Sequence, residues 1–376
     1  MATTLGKSTY AQLIDDVVFS VNKPELSTVA NEAYMAFILE AQKRICELFR
    51  VREKYQLRLT TDVTDYNIQD RPRITAATNA TPIVGTAASH GLSNDDRIFI
   101  RDVLGNTATN GYRQVASVAT NTFALYDYAD IDTAVAGAST VTITTKKAHP
   151  FSNSDSVTIA SVLGMTDING THTITYVDST SFTVPITTTQ TYTSGGVCTK
   201  PVAGNGTYTS GGKFWKENEI PTIFRPDDYE YIERTWGNYF PRIDMVSYDH
   251  LLSQKSKDEN IWRVFSDFDA PFMAAEWVSA GQRVLTVYPA PQSDQDVWIF
   301  GNIQVDPRLY YSDTVSDYVQ LPSQFDEAIT AYTKAKISER FGDIKMVNYW
   351  KKDFDAAIAR LRLRSARHTT LEVTYT

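Results

Sequence analysis

Residues 90–105 read HGLSNDDRIFIRDVLG, and residues 149–164 read HPFSNSDSVTIASVLG. The chain writes one sentence twice, 59 residues apart. From His90 to Phe123 the copies share His90/His149, Ser93/Ser152, Asn94/Asn153, Asp96/Asp155 and Ile100/Ile159, then Val103-Leu104-Gly105 against Val162-Leu163-Gly164. Thr107/Thr166, Asn110-Gly111 against Asn169-Gly170, Val118/Val177 and Phe123/Phe182 complete the match. Asn-Gly supplies the positive φ that a tight hairpin turn needs. Apolar residues alternate with polar ones in SVTIASV (156–162) and THTITYV (171–177), as in half-buried strands. Each copy therefore predicts a small antiparallel β module of about five short strands.

The surroundings say where these modules sit. Glutamate stops at Glu53 and returns at Glu217, and all six tryptophans lie at or after Trp215. Between Arg73 and Lys213 the chain is mostly Thr, Ser, Ala, Val, Gly and Asn, which is strand and turn chemistry. The expected organisation is two tandem modules, 74–136 and 137–213, inserted in a domain made from 1–73 and 214–376.

The flanks carry helical periodicity. Residues 8–19 read as a first helix. Pro24 opens a second, with Leu26, Val29, Ala33, Phe37, Ile38, Ala41, Ile45 and Leu48 at 3–4 spacing. KYQLRLTTDVTDYNI (54–68) then turns to strand, as do IDMVSY, RVLTVYPA and VWIFGNIQV beyond Glu217. Residues 248–260 read as a short helix or a polar loop. LeuProSerGlnPheAsp (321–326) is a helix start with Ser323 as N-cap, and Gly342-Asp343 separates that helix from a last one. The fold class expected is α+β, a helical bundle from both ends plus a mixed β region, with an all-β insertion. Its bundle core would include Ile38, Ile45, Ile329, Tyr332, Phe354 and Ile358.

Composition narrows the function. The 376 residues are 42% hydrophobic and 21% charged, which is globular. A net charge of -8 argues against a general polyanion binder. Two cysteines, Cys46 and Cys198, give neither a disulfide framework nor a metal-ligand spacing. The N-terminus has no signal-peptide core, and no apolar run approaches ~18 residues. A soluble protein of the reducing cytoplasm is expected.

Catalytic patterns are missing. No Gly-rich phosphate loop and no Gly-x-Ser-x-Gly occurs. Asp227-Asp228 and Asp267/Asp269 read as turn chemistry rather than an acid–base pair. His90 and His149 each open a turn before Ser-Asn, where a local hydrogen bond is the plain expectation; no second histidine or cysteine stands at ligand spacing. Neither a cofactor, a metal nor an enzyme activity is expected.

Two features point to protein partners. Arg360, Arg364 and Arg367 recur at i, i+4 and i+7, which makes one face of the last helix basic. That face is either simply solvated or a contact for phosphate or an acidic partner. Leu371, Val373 and Tyr375 alternate with polar residues on the tail, either as a disordered end or as an edge strand for a neighbour's sheet.

The ordering of elements resembles the head-to-tail adaptor (connector) proteins of tailed bacteriophages. The residues that carry it are YQLRLTTDVTDYNI, LTVYPAPQSDQDVWIFGNI and LPSQFDEAITAYTKAKISERFGDIKMVNYWKKDFDAAIARLR. His-Gly-Leu-Ser (90–93) and Val-Leu-Gly-Met-Thr-Asp-Ile-Asn-Gly (162–170) resemble small β modules of phage virion proteins related to the FCCH domain of ubiquitin-activating enzymes. The resemblance implies a structural virion protein of the neck: a homo-oligomeric ring, usually a dodecamer, assembled in the host cytoplasm. The ring would join the portal to the tail tube or nozzle and let DNA pass through its lumen. The modules would meet neighbouring subunits, a tail fibre or a spike. Cutting the chain after Phe341 would abolish portal binding and leave the modules folded. The rival expectation is a carbohydrate-binding tail or fibre-attachment protein, using Trp215, Trp236 and Tyr239.

Overall fold

The computed structural model describes residues 7–21, 29–49, 51–69, 71–220, 231–234, 242–257, 273–279, 281–291, 295–302, 305, 319–367 and 372–373. Helix α1 (Tyr10–Val21) opens with a reciprocal cap, the Gln12 N–H donating to Thr9 Oγ1 and the Thr9 N–H to Gln12 Oε1. Helix α2 runs Asn31–Leu48. It starts after Ala30: Val29, which the periodicity assigned to it, is buried from a bend, while Pro24 and Leu26 lie outside the described residues.

Strands β1 (Arg52–Leu59) and β2 (Asp65–Ile68) lead into the Thr-rich segment. That segment holds β3 (Ala76–Ala77), β4 (Val84–Thr86), β5 (Arg97–Leu104), β6 (Gly111–Ala116) and β7 (Thr122–Ala136). It continues with β8 (Val141–Thr145), β9 (Ser156–Leu163), β10 (Gly170–Thr173), β11 (Thr175–Asp178), β12 (Ser181–Val184), β13 (Ser194–Pro201) and β14 (Ser210–Lys216). Then come β15 (Glu219–Ile220), β16 (Tyr231–Arg234), β17 (Arg242–Met245), helix α3 (Tyr248–Lys257), β18 (Met273–Ser279), β19 (Gln282–Tyr288) and β20 (Gln295–Asn302). Helices α4 (Asp326–Arg340) and α5 (Ile344–Arg367) and strand β21 (Glu372–Val373) end the chain. The protein is α+β, and it divides into two compact units: Met1–Asp70 with Glu217–Thr376, and Arg71–Lys216.

In the first unit, α4 touches α1, α2 and α5, so helices from both ends of the chain share one layer. Ile38, Ile45 and Ile329 are fully buried there, and Ile358 nearly so. Tyr332 and Phe354 are only half-buried, meeting edge to face at 5.4 Å while the Tyr332 hydroxyl donates to Glu40 at 2.7 Å. They rim the helical layer rather than fill it. Ser323 does not cap α4. It lies in a 3-10 turn, and Asp326, the first residue of α4, accepts a hydrogen bond from the Ser8 hydroxyl instead. Gly342 (φ +69°) ends the helix, and Asp343 Oδ1 accepts from the Met346 N–H to start α5.

Among the described residues the unit's sheet has nine strands, in the order β15-β2-β19-β18-β17-β16-β20-β1-β21. The tail is therefore not free. Val373 pairs with Glu53 in parallel on the outer edge of β1, because an unpaired edge takes the nearest strand-forming segment. Leu371 and Tyr375 lie outside the described residues.

The second unit corrects the tandem arrangement. β7 is one strand of 15 residues that serves both modules: Ala124–Tyr126 pair with β6, and Tyr126–Asp130 pair with β13. The first module's core holds Ile74, Ile98, Ile100, Val115, Phe123 and Leu125, and it is closed by Val202 and Phe214, from beyond the second module. The second core, with Val157, Ile159, Phe151, Phe182, Ile143 and Cys198, is drawn from one stretch, Ala129–Cys198. The second module is nested inside the first, between β7 and β14. The link between them is the β7/β13 strand pair, not a loose linker.

Candidate assembly surfaces

The residues that recur in the two modules prove to be fastenings. Asp96 accepts from the Ser93 N–H and Asp155 from the Ser152 N–H, both at 2.7 Å. Each carboxylate also meets a lysine at 2.7 Å, Lys216 with Asp96 and Lys200 with Asp155. Asn110 and Asn169 do not sit at the tips of hairpins. Each side-chain amide both donates to and accepts from the backbone of Val103 or Val162, at 2.9–3.1 Å, as a neighbouring strand would. Asn169→Ala is expected to destabilise the second module by about 1–3 kcal/mol, read from its melting, since it strips a paired N–H and C=O of partners.

His90 and His149 are buried, and each Nδ1 accepts from the backbone N–H two residues on, Leu92 at 3.0 Å and Phe151 at 3.3 Å. Each ring meets a core phenylalanine edge-on, Phe123 at 5.1 Å and Phe182 at 5.2 Å. The local hydrogen bond is thus present at both. Among the described residues there is no group of three or more candidate ligands for a metal ion.

A second, shorter repeat lies after the 59-residue one. TYTSGG occurs at 191–196 and again at 207–212. Tyr192 donates to the Gly195 carbonyl and Tyr208 to the Gly211 carbonyl, both at 2.9 Å, and these glycines pair with Val162 and Val103. The closing strands of the two modules lie 16 residues apart because the second module occupies the gap in the first.

At the seam between the two cores stands Asp127, 3.1 Å from Arg113. Burial raises the Asp127 carboxyl above its ordinary value, with the Arg113 charge opposing it; burial likewise lowers Arg113. The pair is retained at a desolvation cost. Asp127→Leu, which leaves the buried Arg113 charge without its counter-ion, is expected to cost about 3 kcal/mol or more in chemical denaturation, and removing Arg113 as well does not restore this, because the Ala108 and Asn110 carbonyls then lose their donor. The two cysteines are chemically quiet: burial pushes both thiols up to about 12.

The helical layer presents a different surface. Arg360 reaches Glu327 of α4, so part of the basic face is engaged within the chain. Arg364 and Arg367 lie on α5, with side chains outside the described set. Lys334 is buried against Trp350 at 5.1 Å and meets Asp16 of α1 at 3.3 Å, binding three helices together. Large apolar side chains stand in solvent nearby: Phe19 is 87% exposed, Tyr349 57% and Leu363 66%. Trp215, by contrast, is 3% exposed, with the Arg101 guanidinium 5.1 Å above its ring. Trp236 and Tyr239 lie outside the described residues.

Residues 136–201 match the family model of the ubiquitin-activating enzyme E1 FCCH domain. No curated protein matches the chain. The match falls on the nested module and ends at Pro201, the last residue of β13. It overturns the assignment to the head-to-tail adaptor family: the kinship found is to an FCCH domain and lies in the β insertion. The helical motifs that suggested adaptors, Leu-Pro-x-x-Phe and Gly-Asp, are start and stop chemistry open to any helix pair. The match covers far less than half of the chain and describes that segment alone.

Proposed function

We propose that this chain is a structural subunit that assembles with copies of itself into a ring and joins larger assemblies, with no catalytic step. The setting proposed is the neck of a virion, between portal and tail tube, with DNA passing through the lumen and the β modules offered to a fibre or spike. The observation that carries the self-assembling role is the exposure of large apolar side chains on two helices, Phe19 on α1 and Tyr349 and Leu363 on α5. Tyr349 and Leu363 stand on one side of α5, where a partner could cover them. Its net charge of -8 also suits a lumen wall that does not hold DNA. The carbohydrate-binding alternative draws no support from Trp215, whose ring is covered.

Native mass spectrometry and electron microscopy of the full chain test this reading. Closed rings are the expected result, with a portal ring docking on one face. A monomer at all concentrations would overturn it.

A further inference from the structure

Two outer helix faces differ in a way that makes them complementary. α1 contains two aspartates and no lysine or arginine. Its solvent side carries Asp15, Val18 and Phe19. α5 contains seven basic residues and two aspartates. Its buried side runs through Val347, Trp350, Phe354, Ile358 and Leu361. The opposite side is also a stripe: Tyr349, Lys352, Ala356, Ala359 and Leu363 are all exposed and spaced 3, 4, 3, 4. That spacing forms a continuous seam along one face of a helix, the pattern that receives another helix. Its small central alanines allow a close approach, and its lysine faces out beside an aromatic residue.

We propose that copies of this chain join head to tail, the α1 end of one copy (Asp15, Val18, Phe19) seated on the Tyr349–Leu363 stripe of α5 of the next. The proposal rests on the self-assembling role above and names the surfaces that meet. Charge selects the occupant: an acidic helix with an exposed phenylalanine matches an apolar seam that carries Lys352 and no carboxylate, while two α5 stripes would set lysine against lysine. The contact is heterologous, since the two faces differ, so repetition closes into a ring or continues as a filament. Because α4 touches both α1 and α5, one subunit transmits the join from one neighbour to the other through a single packed helix.

The test uses full-length protein and two variants, Phe19→Asp on one face and the pair Lys352→Asp, Leu363→Asp on the other. Every changed side chain is exposed, so the fold is retained, which circular dichroism checks. Sedimentation velocity of each variant alone should show association weakened about 30-fold or more, as for loss of a central aromatic or apolar contact. Mixed in equal amounts, the variants should form a dimer and stop there, because only one intact α1 face and one intact α5 face remain. Three results would overturn the proposal and leave the structural role standing: variants that assemble like the parent, loss confined to the α5 variant, or a mixture that stays monomeric. A parent chain that is monomeric and uses α5 to bind a DNA duplex would sink both.

Discussion

A fragment of residues 71–201 will keep the second β module folded and lose the first. The cut removes Val202 and Phe214 from the first core and deletes β14, which pairs with β5 from Ser210↔Leu104 to Lys216↔Ile98. It also removes Lys216, the partner of Asp96. Losing a buried phenylalanine side chain alone costs about 3–5 kcal/mol. A whole domain has only about 5–15 kcal/mol to lose, so the first module cannot survive the further loss of an edge strand. The second module keeps its whole core, which ends at Cys198, and its closing strand, which ends at Pro201; it gives up only polar contacts to β7, such as Arg97 with Asp130. Amide exchange will show this directly. Protection should persist at Ile159, Phe182 and Cys198 and vanish at Ile98, Ile100 and Val115. Protection of both modules in the fragment would mean that the two cores do not divide as described.

Gly164→Ala will cost the second module more than about 3 kcal/mol, while Gly342→Ala costs about 1 kcal/mol. Both glycines have positive φ, +84° and +69°, which disfavours any side chain by about 1–2 kcal/mol. Space separates them. A Cβ at Gly164 would stand 2.3 Å from both the Thr191 carbonyl and Thr193 Oγ1, inside the closing strand's approach. A Cβ at Gly342 meets nothing within 4 Å. Gly105, the counterpart in the first module, faces Thr207 and Thr209 in the same way, so Gly105→Ala should damage the first module and spare the second. Thermal unfolding of the three variants measures the contrast. Equal losses at Gly164 and Gly342 would show that backbone conformation alone sets the cost.

Much of this architecture is legible in the residues, and where it is not the reasons are physical. The repeat announces the strands because core positions and backbone fastenings tolerate few residue types, as Asp96/Asp155 and Asn110/Asn169 show. It does not announce nesting, because an insertion breaks the constant spacing that makes a repeat visible; only TYTSGG at its shorter interval records it. Asn-Gly looks like a hairpin tip, whereas the asparagine amide serves as a substitute strand, a role that depends on what lies across from it in space. The helices at both ends are periodic enough to find, yet Tyr332 and Phe354 look like core residues and lie at its rim. Val373 looks like an edge strand in search of a partner, and only the sheet order shows that β1 of its own chain is that partner. That pairing also spoils a cut after Phe341 as a test of binding alone. It would strip Ala357, Ile358 and Leu361 from α4, so lost binding would report damage to the helical layer.

The β7/β13 pair has a consequence for how such a protein can change in length over evolution. The nested module enters by β7 and leaves by β13, two neighbouring, hydrogen-bonded strands, so the chain it interrupts is brought back beside the point where it left. The equivalent place in the nested module is the 185–193 segment between β12 and β13. A third copy spliced there would be nested in the second as the second is nested in the first.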